Sequence, residues 1–258
     1  MSEFGPATTV RRRTEGAYDV DLDPDWSIGD KPNGGYLLAV IARAACDAAA
    51  APHPLAVSGH FMRAPVAGPA EVRVEVIRQG RRVSTVRAGL WQEGRPFVET
   101  LISAGAIAAG DPEWAGDPAP VLPPPADCPE WEPPNFPIPL FRRMELRLDP
   151  ATHPWPGNGN PVIRGWIRVR DEAEPDPLLL LVAVDAMPPT VFHLGRFGWA
   201  PTVELTGLVR AVQAPGWLRC EARTKAVEGG WFDEEATVWD ATGRLVAQSR
   251  QLALAAGS

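Results

Sequence analysis

The chain has 258 residues, 45% hydrophobic and 22% charged, a globular composition without the run of about 18 apolar residues that could span a bilayer, so membrane insertion is not expected. A formal charge of -7, with basic residues scattered and not gathered in a stripe, disfavours nucleic acid as a partner. Cys46, Cys128 and Cys220 are odd in number and far apart, and His53, His60, His153 and His193 form no close pair, so neither a disulfide framework nor a metal site is expected.

The N-terminal segment MSEFGPATTVRRRTEG carries three consecutive arginines with no apolar run behind them, unlike a secretory signal, and the expected location is the cytoplasm. Residues 34–51 (GGYLLAVIARAACDAAAA) read as a helix apolar on nearly every side, stopped by Pro52 and Pro54. Such a helix has to be wrapped by other structure. From Gly59 the pattern changes to a period of two, with Val72, Val74 and Val76 on one face, as in strands with one buried side. Short corners rich in Gly, Asp and Glu predict antiparallel hairpins.

Residues 110–160 are crowded with proline (PAPVLPPPADCPEWEPPNFPIP) and show neither helix nor strand periodicity, so an extended surface linker is expected. Trp114, Trp131 and Trp155 predict that it is pinned down in places. Residues 176–194 (DPLLLLVAVDAMPPTVFHL) read as a second apolar helix, and from Gly207 a second alternating stretch follows, with Trp231, Ala236 and Val238 among its apolar positions. The two stretches correspond: Arg63-Ala64 leads to a turn at Gly94, and Arg210-Ala211 leads to one at Gly243, at spacings of 31 and 33 residues. This is a duplicated module, and the fold class expected is α+β. Each half is a central helix wrapped by a curved antiparallel sheet, the hotdog arrangement met twice. The expected bounds are 1–109 for the first repeat, 110–160 for the linker and 161–258 for the second repeat.

Asp185 interrupts the apolar run LLLLVAVDAM, where a lone carboxylate is costly to bury. It reads either as a carboxylate orienting water in an apolar cleft or as a helix residue facing solvent. Thr202, Thr206 and Gln251 are ordinary strand residues taken singly; together with Asp185 they make a set able to hydrogen-bond a water without a cofactor. Gly34 and Gly35 lie where the first helix begins, so their N–H groups could meet an oxyanion, or the pair could simply form a tight turn. His60 is a candidate base or a structural strand histidine. Gly-x-Ser-x-Gly, GxGxxG and GxxxxGK patterns are absent, which leaves serine-elbow, dinucleotide and P-loop chemistries without support.

Taken in order, Asn33-Gly34-Gly35-Tyr36-Leu37, His60-Phe61-Met62-Arg63, Gly80-Arg81-Arg82-Val83-Ser84, Asp185-Ala186-Met187-Pro188-Pro189 and Gly243-Arg244-Leu245-Val246-Ala247 with Gln251 resemble the acyl-CoA thioesterase II family and its actinobacterial thioesterase-like relatives. The resemblance implies a double hotdog, an acyl-CoA or other acyl-thioester substrate, no cofactor, and a nucleophilic water held by an Asp, a Thr and a Gln of the second repeat. Asp185 and Gln251 match two of these. Thr202 matches the third, with Thr206 as the alternative, because the family's Thr-x-Asp-His-Ser is here Thr202-Val203-Glu204-Leu205-Thr206. Gly34, Gly35 and His60 are the candidates for oxyanion or substrate binding. A binding protein that has lost hydrolysis, and a hotdog dehydratase using His60, are the rival functions. Pairing into a homodimer or larger homo-oligomer is compatible with such modules.

Overall fold

A computed structural model describes residues 3–116, 118–133, 136–171 and 175–257. Twelve strands form one antiparallel sheet: β1 (Arg11–Thr14), β2 (Ala17–Leu22), β3 (His53–Phe61), β4 (Gly68–Arg78), β5 (Val83–Gln92), β6 (Arg95–Gly105), β7 (Met144–Leu148), β8 (Val162–Val169), β9 (Thr202–Val209), β10 (Leu218–Arg223), β11 (Trp231–Trp239) and β12 (Leu245–Leu254). The two-residue strand Val227–Glu228 adds to β11 off the main path. Their spatial order, β1-β2-β4-β5-β6-β3-β9-β12-β11-β10-β8-β7, is the same when read outward in either direction from the β3/β9 pair. The duplication seen in the sequence is therefore a pseudo-twofold: β3, β6, β5 and β4 correspond to β9, β12, β11 and β10. The halves share one sheet because β3 and β9 pair directly, with Leu205 opposite Gly59 and Thr206 opposite Ser58.

Helix α1 (Gly34–Ala48) is wrapped as expected. Asn33 caps it by accepting a hydrogen bond from the Tyr36 N–H, and Tyr36 to Ala42 are all buried. It ends where Ala50 adopts a positive φ of 47°, just before Pro52. The expected second helix is much shorter: α2 spans only Leu179–Ala183, and a 3₁₀ turn, Thr190–Leu194, follows Pro188 and Pro189. Proline at two successive positions cannot continue an α-helix, and the chain turns at Asp185 instead of running on. The two helices meet closely at Gly35, where an added Cβ would lie 2.1 Å from the Leu181 carbonyl oxygen.

The expected linker is also shorter than its composition suggested. Residues 144–148 within it form β7, which pairs with β8 at the rim of the sheet, and residues 117, 134 and 135 lie outside the described residues. Of its tryptophans, Trp131 is buried, Trp155 packs on Phe197 at 4.4 Å between ring centroids, and Trp114 is 82% exposed. At the opposite rim the arginines of β1 are exposed, and Arg13 pairs with Asp19 and Glu71. A charged edge of this kind discourages further strand pairing.

Candidate active site

The start of α1, the Asp185–Thr190 turn, the second half of the sheet and the linker enclose a cavity of about 680 Å³. Six of the eight phenylalanines of the chain line it, namely Phe61, Phe136, Phe141, Phe192, Phe197 and Phe232, together with Trp131, Trp155 and Trp199. Among these apolar walls stand Asn33, Asp185, Thr202, Glu234 and Gln251. Polar groups in such an enclosure have to be satisfied by one another or by a ligand.

Asp185 is held by the start of α1. Its Oδ2 accepts from the Gly35 N–H at 2.8 Å and from Asn33 Nδ2 at 2.9 Å, and Asn33 Nδ2 also reaches the Asp185 carbonyl at 3.1 Å. Among the described residues, Oδ1 takes no protein hydrogen bond. Burial pushes the carboxyl up to about 7, and the neighbouring Glu234 adds to the rise, while the Gly35, Asn33 and Gly34 donors oppose it. An acid poised near neutrality and aimed into a cavity can take a proton and give it back.

The second group of polar side chains lies on the sheet. Gln251 on β12 is directly opposite Glu234 on β11, and its Nε2 donates to Glu234 Oε1 at 2.9 Å. Thr202 Oγ1 donates to Gln251 Oε1 at 2.7 Å. What turns Thr202 toward this pair is a bulge. Strands β9 and β12 shift register between Thr202 and Glu204, so Thr202 and Gln251 share a face although simple alternation would group Thr202 with Thr206.

The remaining sequence candidates fall elsewhere. Thr206 lies on the other face, donating to Glu204 Oε1 at 2.6 Å and contacting Ser58 Oγ at 2.9 Å. His60, opposite Glu204 on the same outer face, is exposed and lies outside the cavity lining. Gly34 lines the cavity, but the Gly35 N–H is already spent on Asp185, which corrects the expectation of a free oxyanion donor there. The helix start is an anion site after all, and its anion is the protein's own carboxylate. Trp231, grouped with Ala236 and Val238 in the sequence, is exposed; Phe232 takes the inward place. Glu234 was not singled out from the sequence. It shares the inward face with Phe232, Ala236 and Val238, and that parity within WFDEEATVW is the signal that could have marked it.

Two family profiles match the chain: an acyl-CoA thioesterase N-terminal domain over residues 22–105 and an acyl-CoA thioesterase C-terminal domain over residues 124–255. The chain belongs to this two-domain acyl-CoA thioesterase family. A protein of Mycobacterium tuberculosis named as uncharacterised is 34% identical, over 92% of this chain and 90% of its own length. A crystal structure from Thermobifida fusca, named as a candidate thioesterase II, superposes with a TM-score of 0.90 at 38% identity, covering 99% of this chain and 98% of that one. A protein from Alicyclobacillus acidocaldarius, described as having a hot dog fold and unknown function, superposes with a TM-score of 0.89 at 22% identity over 100% and 99% of the two chains. The α+β double hotdog is thus shared with solved relatives.

Proposed function

We propose that the chain hydrolyses acyl thioesters in this cavity, by attack of a water held between Asp185, Thr202 and Gln251. The observation that carries this reading is that all three side chains line one largely apolar cavity, with Thr202 hydrogen-bonded to Gln251. The hydrogen-bond directions suit a water. Thr202 has given its one proton to Gln251, so its oxygen is left as an acceptor, and Gln251 keeps a second N–H to donate. A water placed there donates one proton to Thr202 and the other to Asp185 Oδ1, accepts from Gln251, and retains one lone pair for the thioester carbonyl.

The chemistry asks little more of the protein. Asp185 takes the water's proton as the C–O bond forms, the C–S bond of the tetrahedral intermediate breaks, and Asp185 returns the proton to the leaving thiolate. The products are a carboxylic acid and a free thiol. The aromatic walls exclude water from the acyl group, and Lys31 and Arg63, which also line the cavity, offer positive charge to the phosphates of coenzyme A. Incubation with acyl-CoAs of graded size should release free thiol, and Asp185→Asn should reduce the rate. A protein that is thermally stabilised by acyl-CoA yet releases no thiol would instead be a binding protein.

A further inference from the structure

Glu234 is 5% exposed, lines the cavity beside Asp185 and has no part in holding the water. Its surroundings fix its protonation by a count of hydrogens. Thr224 Oγ1 lies 2.6 Å from the Asp233 carbonyl oxygen, Thr190 Oγ1 lies 2.6 Å from Thr224 Oγ1, and Glu234 Oε2 lies 2.8 Å from Thr190 Oγ1. A carbonyl only accepts, so the Thr224 proton is committed to Asp233. The 2.6 Å contact between the two hydroxyls then needs the Thr190 proton. Three contacts have used two hydroxyl protons, and the third proton has to come from Glu234.

With an ionised Glu234, one of these three oxygen pairs would face without a hydrogen between them. With a neutral Glu234 all three are satisfied. Its Oε2 still accepts from the Thr190 N–H at 2.8 Å, and its Oε1, the carbonyl end, accepts from Gln251 Nε2. The charged group bearing on it, its neighbour Asp233, is acidic and pushes the same way, and Asp185 across the site is acidic as well. Desolvation raises its affinity for the proton further, in the same direction as the count.

We propose that Glu234 is a resident neutral acid and a positioning residue: its proton runs into the Thr190–Thr224 hydroxyl chain, while its carbonyl end fixes the amide of Gln251 and so turns the Thr202 oxygen toward the water. The catalytic consequence rests on the hydrolytic reading above; the proton count does not. A neutral Glu234 also removes the contribution that its charge would make to the rise at Asp185, leaving burial as the cause and sparing the base a second negative charge.

Carboxyl-labelled glutamate and carbon NMR test the proton directly, with Glu234→Gln assigning the resonance by its loss. The Glu234 carboxyl carbon should stand at the neutral-acid position at pH 7. A carboxylate position at pH 7 overturns the proposal. Thr224→Val provides a second handle should Glu234→Gln not fold. It frees the Thr190 proton to serve Glu234, so the Glu234 resonance should titrate at lower pH than in the wild type; an unchanged titration contradicts the chain of hydroxyls. Kinetically, Glu234→Leu, which removes the oxygen that Gln251 donates to, should lower kcat at least about 10-fold with KM little changed, because Gln251 loses its fixed orientation. A kcat equal to the wild type's removes Glu234 as a positioning residue. A wild type inactive on every thioester would refute the hydrolytic reading while the NMR result still decides the state of Glu234.

Discussion

Asn33→Ser separates two jobs of one side chain and makes the acid limb of the pH profile a readout of the Asp185 environment. Asn33 Oδ1 caps α1 through Tyr36 N, while its Nδ2 donates to the Asp185 carboxylate at 2.9 Å. Serine keeps an oxygen for the cap but has no donor long enough to replace the amide. A hydrogen bond to a charged acceptor contributes about 1.5–3 kcal/mol, and one pH unit corresponds to about 1.36 kcal/mol, so losing it raises the Asp185 pKa by about 1–2 units. The Gly35 N–H donor remains and cavity water can partly replace the amide, which places the expected shift near the lower end. The sign follows from the role of the bond. It stabilises the ionised form, so without it Asp185 ionises at higher pH. Profiles of kcat/KM against pH on an acyl-CoA should show an acid limb near pH 7 in the wild type and about one unit higher in Asn33→Ser, with similar rates on the alkaline plateau. A limb that stays in place, or moves to lower pH, refutes the assignment of Asp185 as the base held by Asn33.

Asp185→Asn should lower kcat at least about 100-fold, the range for losing a general base, measured as thiol release at pH 8. The stability of the same variant relative to wild type should be greater at pH 8 than at pH 4, measured as the difference in Tm, and an equal difference at the two pH values would contradict the raised carboxyl. Because the folded carboxyl titrates near 7 and the unfolded one near 3.8, the folded state binds the extra proton between those values, and wild-type stability falls as pH rises across that window. Thr202→Val should reduce kcat by about 10-fold or more, whereas Thr206→Val and His60→Ala on the outer face should stay within about twofold; the reverse order would place the water elsewhere. Gly35→Ala should cost roughly 1–3 kcal/mol in denaturant unfolding, since its Cβ meets the Leu181 carbonyl, and an unchanged midpoint would mean that the two helices are not in contact there.

The doubled architecture was legible because it rests on two robust patterns, a nearly all-apolar helix at 34–48 and alternating valines at 72, 74 and 76. Asp185 was legible as a carboxylate in an apolar run, and the hydrogen bonds from Gly35 and Asn33 supply the partners that such a carboxylate needs. The choice between Thr202 and Thr206 was not, because a bulge at one residue inverts which side chains face inward and no composition signal marks it. Glu234 hid between Asp233 and Glu235, where a run of acids on a strand normally indicates a solvated face; only its parity with Phe232 and Ala236 sets it apart. The second helix was overextended for a related reason. Apolar content over 176–194 predicts burial, and burial is observed through residues 178–184, but the turn at Asp185 and the two prolines decide where helix ends. Strand β7 was masked by the prolines around it.

Single-turnover hydrolysis of an acyl-CoA in oxygen-18 water, with mass spectrometry of both the acid and the protein, bears most directly on the central claim. One labelled oxygen in the released carboxylate, an unmodified polypeptide, and loss of turnover in Asp185→Asn are the results expected of a water activated at that carboxyl. A trapped acyl-protein adduct, or label incorporation undiminished in the Asn variant, would contradict it.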